Sequence, residues 1–583
     1  MLELKQSNLI PAGILLASLC IGANQVFAQN VSVTVDASAV THVISDYLYG
    51  ANGNVADNVM NGTNANYNSL MRNSGIHYYR WPGGTTGDWQ AWDSTSSVTY
   101  TQGLRCMDSV RGIFQPIVNF MGWWNNRAHT EQQAEAKAAA WVRDYNVNRH
   151  LNAKYWEIGN EDYGPWENSN VTRTGIAGAD YGRRFCAFCD SMKKVDTTIK
   201  IGAVVTPPFP FDTLFGSFTA RALDTIAKLH HIPDFLIVHI YPYIQMDQDT
   251  MVFGRNMLPF GPTHLKDTMT TGIWLDTLAS SVDTLNKWVS TRFGASNVGK
   301  IEYFYTEYST GSYATQNQTQ AISAQFIAQV LMEFARLGVT GSNPWLSSYY
   351  AVAGNPTWYV HPMHIYHFGR QMVNVTLGTK GTRMRAWAAR DSLGNLTMFL
   401  VNNAVDSTTY NAQIAIQGVA GVGAVGEKWT MLTSGAAGSW QPTRTAISIN
   451  GTVSPAAGTI KNMAGQTIAT GATFSVPLPP YSMTWLRIPI TTATLPAGSV
   501  KNLPSGVMIR QTGKHGLTVT FCLQESFGKP WSLAVFTVGG KKVGAWRGTG
   551  NRATLALVTN ARGVFICRAI LGGNEYEKAI VMK

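Results

Sequence analysis

Between about Val43 and Val373, short runs rich in β-branched and aromatic residues alternate with longer stretches whose apolar positions recur every three or four residues. Parallel strands joined by helices produce that alternation, since each strand must be followed by a crossover before the next can lie beside it. Eight runs read as strands: ISDYLYG from Ile44, HYYRWPG from His77, FQPIVNFM from Phe114, AKYWEIG from Ala153, KIGAVV from Lys200, FLIVHIYP from Phe235, IEYFYTE from Ile301 and a weak one, VTGSNPW, from Val339. Among the helices between them, TEQQAEAKAAAWVRDYNVNRH opens on Thr130 as a cap, and TQAISAQFIAQVLMEFARLG stops at Gly338. Eight such units over about 330 residues fit a closed (β/α)8 TIM barrel, fold class α/β, better than an open doubly wound sheet.

After Val373 the grammar changes to alternating strands with Gly, Asn and Ser turns, in MRAWAARD, LTMFLVNNAV, NAQIAIQGV and GATFSVPLPPYSMTWLRIPI. This predicts an associated all-β domain, a β-sandwich. The run VSVTVDAS from Val31 is strand-like yet precedes the barrel, so it is expected to pair back into that sandwich. The expected organisation is a signal peptide at 1–28, the N-terminal sandwich strand at 29–42, the barrel at 43–375, the sandwich at 376–490, a linker at 491–506 and a small C-terminal all-β domain at 507–583. The signal reading rests on the apolar run from Leu9 to Ile21, followed by Val26-Phe27-Ala28 with small residues where a signal peptidase reads. It implies an exported or cell-surface protein. A lipoprotein reading of LASLC is disfavoured by Leu19, and no later run reaches the length of a membrane span.

Composition changes the picture in two places. Hydrophobic residues at 45% against 14% charged, with 18 Trp and 23 Tyr, exclude a disordered chain and suit stacking against the apolar faces of sugar rings. The net charge of +11 invites a nucleic-acid reading, but residues 501–583 hold 12 basic and 3 acidic residues, so most of the excess lies in the tail. Scattered on separate strands, those charges read as a solvated face, and no nucleic-acid partner is expected. Without Cys20 five cysteines remain; Cys186 and Cys189 form a lone CxxC in a helical run, and Cys522 and Cys567 lie in two separate strand-like runs where a disulfide is possible.

The chemistry-bearing residues fall at strand ends, where a barrel opens to solvent. In KYWEIGNEDYG the strand residues Tyr155, Trp156 and Ile158 give way to Gly159, Asn160 and the bare acid Glu161; Glu307 ends strand seven in IEYFYTE. Two carboxylates across a barrel mouth are what glycosidic bond cleavage requires, one to protonate the leaving oxygen and one to attack the anomeric carbon. Arg80 ends strand two, and His239 and Tyr241 end strand six; Arg80 and Tyr241 are placed to donate hydrogen bonds to an ionised Glu307. Asn160 is placed to bond the sugar hydroxyl next to the reacting carbon. Trp124 and Trp345, with Trp89, Trp123 and Trp166, are candidate stacking platforms or core residues.

At these residues the sequence resembles the clan A glycoside hydrolases. WEIGNE at Trp156–Glu161 is similar to their acid/base strand and TEY at Thr306–Tyr308 to their nucleophile strand. RWPGG at Arg80–Gly84, the H-x-Y of His239 and Tyr241, and LPPYSMTWL near Leu478 resemble most the family 51 α-L-arabinofuranosidases. The resemblance spans about Val31 to Ile490 and implies a retaining enzyme on arabinose-containing hemicellulose, with Glu161 as acid/base, Glu307 as nucleophile and a polysaccharide or oligosaccharide substrate. It implies no cofactor and no metal. The chain departs from the family at Thr85, where PGG is usually followed by Asn, and at Asn52 and Asn54, where an acid would help hold arabinose. Xylan-, glucan- and glucuronide-cleaving relatives therefore stay open, as does a carbohydrate-binding surface protein that has lost its chemistry. The tail, with VFTVGGKKVGAW and the last strand EKAIVMK, resembles type IX secretion sorting domains, a carbohydrate-binding module being the competing reading.

Plainer roles are expected for several neighbours. Glu157 shares strand parity with Glu161 and reads as a structural pairing residue; Glu302 opens its strand with parity opposite to Glu307 and reads as structural; Asp162 should point away from the acid. His361, His364 and His367 are spaced three apart, whereas zinc ligands on a helix more often sit four apart, so an aromatic core or sugar subsite is favoured over a metal. Oligomeric state, the sugar cleaved and endo or exo action are not written in the sequence.

Overall fold

The computed structural model describes residues 28–53, 58–94, 98–167, 175–208, 211–241, 273–309, 320–345, 354–378, 383–404, 408–433 and 446–491, together with the strands between 507 and 582 as backbone. The proposed signal peptide up to residue 27, Asn54 and the 492–506 linker lie outside the described residues, as do the side chains of Cys522 and Cys567.

Eight parallel strands stand side by side in sequence order: Ala51–Asn52, Tyr78–Trp81, Ile113–Val118, Tyr155–Ile158, Lys200–Val205, Phe235–His239, Glu302–Glu307 and Gly341–Ser342. The ring closes where the Gly50 N–H donates to the Ser342 carbonyl at 3.0 Å. Two glycines permit this approach: a β-carbon on Gly50 would stand 2.8 Å from the Ser342 oxygen, and one on Gly341 would stand 2.1 Å from the Phe304 ring. The segment from Ile44 departs from its expected form. Ser45 accepts from the Tyr47 N–H and caps a 3-10 turn, Asp46–Tyr49, leaving only Ala51–Asn52 as strand. Stacking of Tyr47 on Tyr78, centroids 3.6 Å apart, holds that turn beneath the barrel. The helix from Thr130 forms as read, with Thr130 and Gln133 making a reciprocal capping box, and runs through Glu131–Val142 into a π-helical turn, Arg143–Asn148.

Gln29–Val43 pairs antiparallel with Gln371–Leu377 and parallel with Tyr410–Gln417, so the first described strand is built into the β-domain formed by the residues that follow the barrel. Alternation explains the fit: Val31, Val33, Val35 and Ala37 turn inward against Met398, Leu400, Ile414 and Leu486, forming a core separate from the barrel's. Further strands run through Met384–Arg390, Asn395–Asn402 and Val425–Leu432 to Ser482–Thr491. Residues 507–582 add seven antiparallel strands in two sheets. Among the described residues no helix is long and apolar enough to cross a membrane.

The histidine run Val360–His367 lies at the junction of barrel and sandwich. All three histidines are buried; His364 Nδ1 accepts from the Trp485 indole at 3.2 Å, and His367 Nε2 lies 2.8 Å from the Ile460 carbonyl. They are core residues, one of the two roles their spacing left open. Burial holds their pKa values at about 3, about 3 and about 4. Below the unfolded value of about 6.5, protons therefore bind the unfolded chain and not the folded one, so stability falls as pH drops from there towards 3. At pH 5 each histidine should cost about 2 kcal/mol. Buried carboxyls with raised values carry the opposite sign in the same window, so the informative comparison is between variants. His364→Gln, which keeps an acceptor for Trp485 but cannot titrate, should lose visibly less stability than wild type between pH 7 and pH 5 in urea titrations. Equal losses would remove histidine protonation as the cause.

Candidate active site

Arg80, fully buried on the second barrel strand, organises the mouth. Its Nε donates to Glu157 Oε2 at 2.8 Å, and its Nη1 donates to Glu307 Oε1 at 2.8 Å and to Asn52 Oδ1 at 3.1 Å. Its Nη2 donates to Asn160 Oδ1 at 2.7 Å and faces His239 Nε2 at 3.3 Å. Burial works against the guanidinium charge, but Glu157 and Glu307 more than restore it. Glu157 also accepts from Gln115 Nε2 at 2.6 Å, so it is the ion-pair partner expected of it; Glu302 likewise meets Lys200 Nζ at 2.6 Å, away from the mouth.

Glu307 closes the seventh strand, and both of its oxygens accept: Oε1 from Arg80 and Oε2 from the Tyr241 hydroxyl at 2.7 Å. Burial, with the charges of Glu307 and Glu161, pushes the Tyr241 hydroxyl well up, which keeps it a donor. His239 is wedged between the two acids. Because Arg80 and Thr306 Oγ1 (3.1 Å) both approach its Nε2, and a guanidinium can only donate, the ring proton is assigned to Nδ1. That Nδ1–H donates to Glu161 Oε1 at 2.9 Å and lies 3.7 Å from Glu307 Oε2. One oxygen of each carboxylate and a ring nitrogen of His239 lie within 4.8 Å of one another. A cation could be imagined there, but the proton that Arg80 forces onto Nδ1 occupies the lone pair it would need.

Glu161 is reached through a break in the backbone. At the end of Tyr155–Ile158, Gly159 takes φ +83°, where a β-carbon would stand 1.9 Å from Asp162 Oδ2, and the chain swings out of the barrel wall. Glu161 Oε1 accepts from His239 and from the Tyr163 hydroxyl at 3.2 Å, and Oε2 accepts from the Trp166 indole at 2.6 Å. Burial raises the carboxyl, but those donors outweigh it and hold Glu161 below its ordinary value.

Asn160 is fixed from three sides. Its backbone N–H donates to Asp88 Oδ2 at 2.8 Å, its Oδ1 accepts from Arg80, and its Nδ2 donates to Glu167 Oε1. Asp88 also accepts from the Phe120 N–H at 2.9 Å; burial nevertheless raises it to about 6. Asp162, with no hydrogen bond to its buried carboxyl oxygens among the described residues, is pushed well up by burial and by Asp88 and Glu167.

The structure thus brings Arg80, Asn160, Glu161, His239, Tyr241 and Glu307 into one network. Trp345 sits at its rim: its N–H donates to the Tyr308 carbonyl at 2.8 Å, and a β-carbon on Gly84 would stand 2.7 Å from its ring. Trp124 does not join the network. Its buried ring stacks on His129 at 3.6 Å with 6° between planes, so the face expected to receive a sugar is occupied by the protein. Asp88, Glu167, Tyr163 and Thr306 were not anticipated. In a chain with 14% charged residues, the acids of TTGDW and GPWE beside strand ends were the available signal.

No protein-family model matches the sequence, and no curated protein sequence does. Among solved structures, the chain is similar to a bifunctional glucanase-xylanase from a metagenome library, at 16% identity and TM-score 0.58 over 79% of this chain and 99% of that one. It is similar to an α-L-arabinofuranosidase from Thermotoga maritima, at 15% and 0.57 over 78% and 99%. A third is a family 44 xyloglucanase from Paenibacillus polymyxa, at 14% and 0.54 over 80% and 100%. The fold these structures share with the chain is therefore a (β/α)8 barrel joined to a β-sandwich. The structures with this fold to which the chain is similar include glycoside hydrolases of family 51 and family 44.

Proposed function

We propose that the chain is an exported retaining glycoside hydrolase acting on plant cell-wall polysaccharide, with arabinose-containing hemicellulose as the first substrate to test. The observation that supports it most is that Glu161 and Glu307 face each other across the mouth with one oxygen of each within 4.8 Å, an approach compatible with the closely spaced carboxyl pair of a retaining site, about 5–5.5 Å. Glu307, held on both oxygens by Arg80 and Tyr241, attacks the anomeric carbon and forms a glycosyl ester. Glu161 protonates the leaving oxygen and then, as base, takes a proton from the water that cleaves the ester. In the free protein the three donors on Glu161 favour the base form. The Trp166 indole is 46% exposed, so an entering leaving group that took its place on Glu161 would remove one of the three donors and move Glu161 towards the acid form.

Glu161→Ala is expected to slow natural oligosaccharides by about 10²–10⁴-fold while sparing formation of the glycosyl ester from dinitrophenyl glycosides, whose leaving group needs no proton. Equal losses on both would refute the acid/base role. A panel of aryl glycosides run with wild type separates arabinofuranosidase activity from the glucanase or xylanase activity that the glucanase-xylanase likeness favours.

A further inference from the structure

We infer that Glu167 is a positioning residue that fixes the orientation of the Asn160 side-chain amide, and so aims its remaining N–H at the sugar hydroxyl beside the reacting carbon. This rests on the proposed glycosidase reading. An amide can sit in either of two flipped states, and only one is compatible with its neighbours here. Arg80 Nη2, a pure donor, must meet Asn160 Oδ1, at 2.7 Å. Glu167 Oε1 must then accept from Nδ2. One hydrogen of that Nδ2 is used, and the other is left for a substrate beside Glu161.

Glu167 is itself held. It is 1% exposed; the same Oε1 accepts from Thr85 Oγ1 at 2.9 Å, and its carbonyl accepts from the Trp89 indole at 2.7 Å. Thr85 therefore anchors the carboxyl that orients Asn160, and the loop after the second strand sets the geometry of the loop after the fourth. Its second oxygen, Oε2, is buried with no hydrogen-bond partner among the described residues. Burial, together with Asp88 and Glu161, pushes the Glu167 carboxyl well up, which favours the neutral form, in which a carbonyl oxygen accepts. A glutamine reproduces that form: Oε1 accepts and the NH2 stands where the O–H was.

The test compares Glu167→Ala and Glu167→Gln on two substrates, the best aryl glycoside found for wild type and its 2-deoxy counterpart. Glu167→Ala should lose kcat/KM at least 10-fold on the parent sugar and little on the 2-deoxy sugar, which has no hydroxyl for Asn160 to meet. Glu167→Gln should stay within about 3-fold of wild type on both. A merely structural role would slow both substrates alike in Glu167→Ala, and that result overturns the inference, as would an inactive Glu167→Gln. Circular dichroism and the dinitrophenyl burst amplitude report whether Glu167→Ala is folded; if it is not, Thr85→Val, which removes only the anchor on Glu167, must show the same selective loss on the parent sugar, and its failure to do so counts against the inference. If wild type cleaves no glycoside, the functional proposal fails, and that outcome is distinct from either.

Discussion

Glu307→Gln is expected to lower turnover of every glycoside the wild type accepts by about 10⁵-fold or more while leaving the fold intact. Glutamine keeps the shape of the side chain, and its carbonyl oxygen can still accept from Arg80, but an amide nitrogen cannot form the ester to the sugar. The smaller Glu307→Ala adds a second reading: azide, entering the vacated space, should restore part of the rate on an activated glycoside and yield a glycosyl azide of inverted configuration. With wild type, a 2-deoxy-2-fluoro sugar should leave a covalent mass on Glu307 alone. A purified Glu307→Gln retaining more than a few per cent of activity, or a label found on another residue, would end the nucleophile assignment.

Arg80→Met should cost about 3–5 kcal/mol of stability, because it leaves Glu157 and Glu307 buried without their cation. Glu157 is the more deeply enclosed of the two, so Arg80→Met combined with Glu157→Gln should regain a large part of that loss. Activity should not return with it, since the same guanidinium also holds Glu307 and Asn160. Arg80→Lys is the sharper test of geometry. A single ammonium cannot reach the carboxylates of Glu157 and Glu307 and the amides of Asn52 and Asn160 at once, so kcat/KM should fall on the order of 10²-fold even where the protein remains folded. Wild-type kinetics in Arg80→Lys would mean that charge alone suffices and that the fork plays no part. Denaturant midpoints and kcat/KM, measured on all three variants, separate the two effects.

Much of this site could be read in advance because local rules agree with global ones along the barrel strands. WEIGNE at Trp156–Glu161 and IEYFYTE at Ile301–Glu307 are apolar runs that end in acids, and a strand's end is also the barrel's open end. The parity of Glu157 with Glu161 pointed it into the barrel, where a buried charge must find its opposite, and Arg80 is that partner. Trp124 was misjudged because a tryptophan after a strand carries no mark of which face is free; His129, five residues on, took it. The segment from Ile44, expected as a strand, instead holds the 3-10 turn Asp46–Tyr49 capped by Ser45 and leaves only Ala51–Asn52 extended.

The order of strands and helices, the placing of Glu161 and Glu307 at strand ends and the pairing of Arg80 with a carboxylate follow from residue type and period, since burial and charge neutralisation leave few alternatives for an apolar strand that ends in a charge. Which proton His239 carries, how Trp166 covers Glu161, and the link from Thr85 through Glu167 to Asn160 were decided only when loops from different strands met. A hydrogen bond depends on distances of a few tenths of an ångström between residues as far apart in the chain as Thr85 and Glu167, and no local pattern encodes such a distance.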